Sequence, residues 1–237
     1  MKAIILAAGY GTRMLPLTQQ CPKALLSLHS KPLLQHVIDL LPEINGLVVN
    51  AHYLSDQLVT YFKKNTFPFP VNLSLEQEIK GTGGGLFQAI DHLLGEDFIL
   101  INCDILCRLD YSSLSAYALK SQADILLLTQ DKDEESKLLF DKHSNFAGHK
   151  SSKRNRTVDS IQRELEDKAY CGIAYFTKAG GEKFKLHQCD DFSIIDSFFK
   201  LAEKGVCIKN FDIGEIPCVD VGNIEQLEAW QATSLPF

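Results

Sequence analysis

The sequence predicts an α/β fold in which a mostly parallel sheet is sandwiched by helices, and three observations carry that prediction. Short apolar runs recur without polar alternation, as in Lys2-Ala3-Ile4-Ile5-Leu6, Gly46-Leu47-Val48-Val49-Asn50 and Phe98-Ile99-Leu100-Ile101. Strands buried on both faces read this way. Segments of helical period separate the runs, which is the order of βαβ units. The first run also leads straight into a loop with two glycines, where open parallel sheets place their ligand crevices.

That loop is Leu6-Ala7-Ala8-Gly9-Tyr10-Gly11-Thr12-Arg13-Met14-Leu15-Pro16-Leu17-Thr18, closing at Pro22-Lys23. Its small residues and glycines let backbone N–H groups approach a bulky anion. Arg13 adds a forked cation and Lys23 a point charge, a combination suited to a polyphosphate. Lys2, Arg13, Lys23 and Lys31 all precede the first acid, Asp39, in a chain whose net charge is −6. A cationic head on an acidic protein fits an anionic ligand. A dinucleotide fingerprint fails, because Met14 stands where the third glycine belongs and Pro16 and Pro22 oppose a long helix after the turn. The Lys-Ser/Thr ending of a P-loop is absent. A plain glycine turn is the bland alternative, and the basic residues, the prolines and the length of the loop argue against it.

Farther along, Pro32 opens a predicted helix through Leu33, Leu34, Val37, Ile38 and Leu41. The strand at Gly46–Asn50 is followed by a helix near Ser55 to Lys64 and, after Pro68 and Pro70, by a strand over Val71–Glu76. Gly81-Thr82-Gly83-Gly84-Gly85 then reads as a loop, since four glycines in five residues weaken regular structure, with a helix beginning beside it. Such a loop admits close backbone approach to a flat or bulky ligand. The strand at Phe98–Ile101 ends in Asn102-Cys103-Asp104. An acid just past a buried strand faces a ligand crevice, or else caps a turn.

From Asp131 to Lys168 the chain is polar and poorly periodic, a solvated loop with a basic centre at 149–156. A phosphate-contacting flap or a partner site is the alternative there. Tyr170–Phe176 resumes a strand, and Phe192 to Gly205 reads as an amphipathic helix with a glycine stop. Asp220 precedes a final helix over Ile224–Trp230, and Trp230 reads as core or interface.

Composition limits the function classes. An odd seven cysteines scattered through strand-like segments suits reduced thiols and a cytoplasmic location rather than a disulfide framework. Cys103 with Cys107, and His187 with Cys189, fall short of a four-ligand zinc set and read as packing or surface residues. A net charge of −6 without interleaved aromatics at the basic loop speaks against nucleic acid. No apolar stretch is long enough for a membrane span, and no export signal is apparent. The length suits a single domain over 1–237, and no hexapeptide repeats announce an appended β-helix.

The run L-A-A-G-x-G-T-R-x-x-P-L-T followed by P-K resembles the signature of sugar-1-phosphate nucleotidyltransferases, the NDP-sugar pyrophosphorylases. The glycine run and the segment after Phe192 resemble most the N-acetylmuramate-1-phosphate uridylyltransferase branch. The resemblance implies a Rossmann-like sheet of the nucleotide-diphospho-sugar transferase type, and a reaction of NTP with sugar 1-phosphate giving NDP-sugar and pyrophosphate. It implies nucleotide contacts from Leu6, Ala7, Ala8, Gly9, Gly11, Thr12, Arg13 and Lys23, with Gly81, Thr82 and Gly83 beside the base. Arg13 would meet the β- and γ-phosphates, and Lys23 the α-phosphate and attacking group. Asn102 and Gly172 fall on the sugar side, and Asp104 and Asp220 would hold Mg²⁺. The partners implied are an NTP and a sugar 1-phosphate, in a monomer or homodimer.

Departures from the pattern are also visible. Cys103, Cys218 and Asn223 replace the usual glycine, tryptophan and threonine, and no Glu-Lys-Pro occurs before the strand at Tyr170. UTP and N-acetylmuramate 1-phosphate lead as substrates. Guanylyl transfer to mannose or heptose 1-phosphate, thymidylyl transfer to glucose 1-phosphate and cytidylyl transfer to phosphocholine remain alternatives. So does a non-catalytic nucleotide-binding regulator. A glycosyltransferase is disfavoured, because Asn102-Cys103-Asp104 breaks the Asp-x-Asp motif.

Overall fold

The structure is a computed structural model and describes residues 1–152, 155–158, 164–190 and 192–237. The first half runs β1 Lys2–Leu6, β2 Ser27–Leu28, β3 Lys31–Pro32, α1 Leu33–Leu40, β4 Leu47–Ala51, α2 Ser55–Lys64, β5 Val71–Leu75, α3 Gly81–Ala89, β6 Phe98–Asn102, β7 Ile105–Cys107 and α4 Tyr111–Ser121. The second half runs β8 Ile125–Gln130, β9 Lys137–Phe140, β10 Phe146–Lys150, β11 Asn155–Thr157, β12 Glu166–Phe176, α5 Lys178–Leu186, α6 Ile194–Glu203, β13 Ile208–Asp212, β14 Cys218–Asp220 and α7 Ile224–Gln231.

β1 sits between two parallel neighbours, β4 and β6, and β5 extends that parallel group beyond β4. β8 and β13 form a further parallel pair. The long β12 runs antiparallel between them, pairing with β6 over Ile173–Phe176 and with β8. The period of two along β1 divides the core. Ala3 and Ile5 face one layer, with Leu34 and Val37 of α1 and Leu114 of α4. Ile4 and Leu6 face the other, with Leu86 of α3, Phe184 of α5 and Phe198 of α6. The sheet is thus sandwiched by helices, as its unbroken apolar strands require.

Two sequence expectations give way. The glycine run is not a loop: Gly81 opens α3, and Gly83, Gly84 and Gly85 are buried inside it. Intrinsic propensity is overridden by packing, because a Cβ at Gly85 would press into Asn50 Nδ2 and lie 2.7 Å from Glu76 Oε1. Only glycine lets the helix lie this close to the strand ends. The stretch from Asp131 to Lys168 is not a plain solvated loop either. β9, β10, β11 and the start of β12 form an antiparallel extension of the sheet. Its sequence pattern is weak because the extension is short-stranded and largely covered on one face only, by Phe146 against Phe198 and Phe199. Of the basic segment 149–156, Lys153 and Arg154 lie outside the described residues.

The strongest internal seam is where β6 meets β12. Phe98 and Phe176 are register partners, fully buried, with rings stacked at 4.6 Å between centroids and 9° between planes. Phe98→Ala should cost about 3–5 kcal/mol in urea unfolding, through lost burial and the cavity left behind. Leu119→Ala, at a side chain 83% exposed on α4, should stay within about 0.5 kcal/mol of the parent. Equal losses at the two sites would contradict this account of the core.

Candidate active site

Three strand ends, two of them polar, meet at the carboxyl edge of the parallel group. Leu6 is in register with Asn50 on one side and with Asn102 on the other, and Cys103 N donates to Leu6 O at 3.1 Å. Beyond this edge lies a cleft of about 290 Å³. Its walls include Leu6, Ala7, Ala8, Gly9, Gly11, Thr12, Arg13, Lys23, Gly81, Thr82, Asn102 and Asp104. Twelve residues selected from the sequence therefore share one cavity. Gly83 stands behind it, buried, with its N–H directed at Phe192 O at 3.4 Å. Gly172 is also outside the lining, and its Cα faces the Asn102 side-chain amide.

The phosphate loop is shaped by short 3-10 turns at Thr12–Met14, Leu17–Gln19 and Lys23–Leu25, in place of the long helix that its prolines forbid. Gly11 begins the first of them at φ +64°, a left-handed conformation that favours glycine. A Cβ there would also stand 2.8 Å from Thr18 Cγ2 and 3.2 Å from the Lys23 side chain. Thr18 Oγ1 donates to Gly11 O at 2.9 Å, which binds the two ends of the loop together. Lys23 is thereby held over the cleft, where its ammonium pairs with Asp104 Oδ2 and donates to Gly222 O at 3.4 Å. Arg13 makes no ion pair among the described residues, and its guanidinium lies over Gly222.

Asp220 comes from the far end of the chain. β14 pairs antiparallel with β7, setting Asp220 opposite Ile105, and Val221 N donates to Asp104 O at 2.9 Å. The ribbon puts the two carboxylates side by side. Burial first, and the Asp104 charge second, raise the Asp220 carboxyl above its ordinary value, against the pull of Lys23 and Arg13. Burial thus outweighs the two nearby cations at this carboxyl. No cluster of three His, Cys, Asp or Glu with metal-ligand geometry occurs among the described residues. Two carboxylates beside a phosphate site are nonetheless the donor set for Mg²⁺, which takes one or two protein carboxylates and completes its shell with water and phosphate oxygens.

Asp220 itself lines not this cleft but a second one of about 240 Å³, lined in part by Lys132, Lys137, His149, Tyr170 and Cys218. Lys168, the lysine that precedes the strand at Tyr170 where no Glu-Lys-Pro occurs, is absent from both clefts. Hydrogen bonds from its ammonium to Asp131 and Asp212, all at 2.9 Å, raise its pKa and hold it on the other side. Arg156 is likewise committed, paired with Asp196 and Glu203 and stacked 4.2 Å over the Phe199 ring. The phosphate-flap alternative therefore loses this arginine, while Arg154 lies outside the described residues.

Sequence reasoning missed Asn50, Ile79, Cys103 and Gly222 as lining residues. Asn50 carried a usable signal, a polar residue ending an apolar strand just as Asn102 does. Cys103 lines the cleft but is no nucleophile, because burial and the neighbouring Asp104 push its thiol up to about 12. All seven cysteines are free thiols. Three of them converge unforeseen, with Cys218 beside Cys107 and Cys171, whose hydrogen bonds hold the Cys218 thiol low while theirs are raised.

Known proteins were compared with this architecture. The chain is 32% identical over 143 residues to a mannose-1-phosphate guanyltransferase of Yarrowia lipolytica, covering 58% of this chain and 39% of that protein. It is 27% identical over 192 residues to the mannose-1-phosphate guanylyltransferase catalytic subunit beta of Xenopus tropicalis, covering 78% and 52% respectively. The chain thus spans about two fifths to one half of these curated relatives. Among solved structures, HddC from Yersinia pseudotuberculosis superposes with a TM-score of 0.76 at 21% identity, over 98% of both chains. A putative glucose-1-phosphate thymidylyltransferase from Bacillus anthracis gives 0.78 at 17% identity, over 100% of this chain and 97% of that one. These likenesses establish the Rossmann-like fold of the nucleotide-diphospho-sugar transferases. Among the described residues no helix is long and apolar enough to cross a membrane. Residues 2–138, which carry the phosphate loop, Asn50, the glycine helix and Asp104, match the Nucleotidyl transferase family, and the chain belongs to it.

Proposed function

We propose that this protein transfers a nucleotidyl group from an NTP to a sugar 1-phosphate, releasing pyrophosphate. The observation that carries the reading is the convergence of Lys23, Arg13 and Asp104 on one cleft, with the Asp220 carboxyl near enough to feel all three charges, from three distant parts of the chain. An oxygen of the acceptor phosphate attacks the α-phosphorus in line, the new P–O bond forms, and the bond to the leaving pyrophosphate breaks. A phosphate monoester with its second pKa at about 6 is already mostly ionised at neutral pH, so no general base is needed. The task is to bring two anions together and to stabilise the leaving charge. Lys23 serves the α-phosphate and the attacking group, and Arg13 the β- and γ-phosphates. Backbone N–H groups of the phosphate loop orient the chain of phosphates.

Asp104 and Asp220 would hold Mg²⁺, which neutralises phosphate charge when bound. UTP with N-acetylmuramate 1-phosphate is the leading pair, on the resemblance of the glycine run and the segment after Phe192. GTP with mannose 1-phosphate is the rival, favoured by the named activity of the relatives at 27–32% identity. HddC, solved with GMP-PN, adds a guanine nucleotide on the same fold.

Pyrophosphate release with Mg²⁺ tests the reading, with UTP, GTP, dTTP, CTP and ATP crossed against the 1-phosphates of N-acetylmuramate, N-acetylglucosamine, mannose, glucose and heptose, plus phosphocholine. Release that needs both substrates and stops with EDTA is the expected result. Nucleotide binding without release from any pair would leave the non-catalytic regulator instead.

Arg13→Ala and Asp104→Asn should each lower turnover by about 10²-fold or more while the chain stays folded. Turnover like the parent's in either variant would remove this mechanism. Asp220 gives a separate test without substrate. A carboxyl raised by folding binds its proton more tightly in the folded chain, so stability falls as pH rises through the window between its unfolded and folded values. Above that window the ionised Asp220 opposes folding. Asp220→Asn should therefore raise Tm at neutral pH, with the gap closing as pH falls below about 4. An unchanged or lowered Tm at neutral pH would contradict the crowding of charge described above.

A further inference from the structure

The nucleotide cleft is bounded by two segments that do not follow one another in the chain: the loop after β1, and the turn that leads into α3. One buried pair lies between them. Asn50 is 2% exposed and Glu76 6% exposed. Asn50 Oδ1 accepts from Ala7 N at 2.7 Å, while its amide nitrogen donates to Glu76 Oε1 at 2.7 Å. Glu76 Oε2 accepts from Lys80 N at 2.8 Å, immediately before the glycine helix. Each polar atom of the pair has a defined job. The carboxylate accepts on both oxygens, which fixes the orientation of the Asn50 amide, because a flipped amide would point its N–H at the N–H of Ala7. α3 lies on top of the pair, and the absence of a side chain at Gly85 is what makes room for it.

From this geometry we propose that Asn50 and Glu76 form a clamp that sets the distance between the phosphate loop and the base-side turn. They are positioning residues for nucleotide binding, acting through the backbone at Ala7 and Lys80. The proposal rests on the functional reading above. It also accounts for Gly85, the last glycine of the run, which touches no part of the cleft yet cannot carry a Cβ without pushing on both clamp residues. A buried carboxylate is costly unless its hydrogen bonds are complete, so a glutamate kept here signals that two acceptors are required. Glutamine supplies one acceptor and one donor, and can serve Asn50 or Lys80 but not both.

The test is NTP binding by calorimetry on the full chain, followed by steady-state kinetics with the pair that the substrate panel identifies. Glu76→Gln and Asn50→Ala should each weaken NTP binding about tenfold or more, the scale of one charge-assisted hydrogen bond in a buried setting. KM for the NTP should rise to match, while kcat and KM for the sugar phosphate stay within about threefold, a division that general loss of structure would not produce. The double variant should be no worse than the weaker single, since both cut the same link. Gly85→Ala, which keeps both clamp side chains, should reproduce the effect in milder form.

Amide exchange on the ligand-free parent gives a reading that needs no variant. The N–H groups of Ala7 and Lys80 should be protected, and fast exchange at either would overturn the proposal. Folded variants that bind nucleotide within twofold of the parent would overturn it too, and leave the functional reading standing. A parent chain that binds no nucleotide would remove that reading and the clamp with it.

Discussion

The parallel register of β1 between β4 and β6 is the constraint on which the rest of the molecule depends. A strand buried on both faces and paired on both edges has no freedom left in its direction or its depth. Leu6, Asn50 and Asn102 therefore finish side by side, and whatever follows each strand starts from the same rim. The phosphate loop follows β1, the turn with Asp104 follows β6, and the clamp residue Asn50 stands between them and α3. No contact within the loop could achieve this alone. The loop is held by single 3-10 turns and a few hydrogen bonds, and the scaffold beneath it supplies the precision.

Charge is handled on the same principle. Lys23 and Asp104, 81 residues apart in the chain, form an ion pair in the cleft. Asp220 is brought in by a two-stranded ribbon that crosses nearly half the chain, and it remains uncompensated enough for its carboxyl to be raised. A buried carboxyl of this kind is unfavourable for the stability of the fold once ionised. Asp220 lines the second cleft, while its carboxyl feels the charges of Asp104, Lys23 and Arg13 at the first.

The two clefts are built differently. The first is lined largely by small residues and backbone of the loop after β1 and the start of α3. The second cleft is walled by long side chains from β9, β10 and the segment between β8 and β9. Lysines near it are divided by their partners: Lys168 is tied to Asp131 and Asp212 on the far side, whereas Lys132 and Lys137 border the cavity.

By itself the sequence determined the alternation of buried strands and helices, the phosphate loop with Arg13 and Lys23, and the candidate acids Asp104 and Asp220. Those features are local, because an apolar run, a glycine before a cation, or an acid after a strand is written in adjacent residues. Tertiary structure alone decided what depends on distant neighbours. The glycine run became a helix because Asn50 and Glu76 leave no space above them, and the polar stretch after Asp131 became strands because β12 offered an edge. Lys168 was withdrawn from the site by acids 37 and 44 residues away, and three thiols met from separate strands. Propensity and pattern act over one or two turns of chain. Packing, register and the pairing of charges act through space, and here they selected which of the legible residues share a cavity.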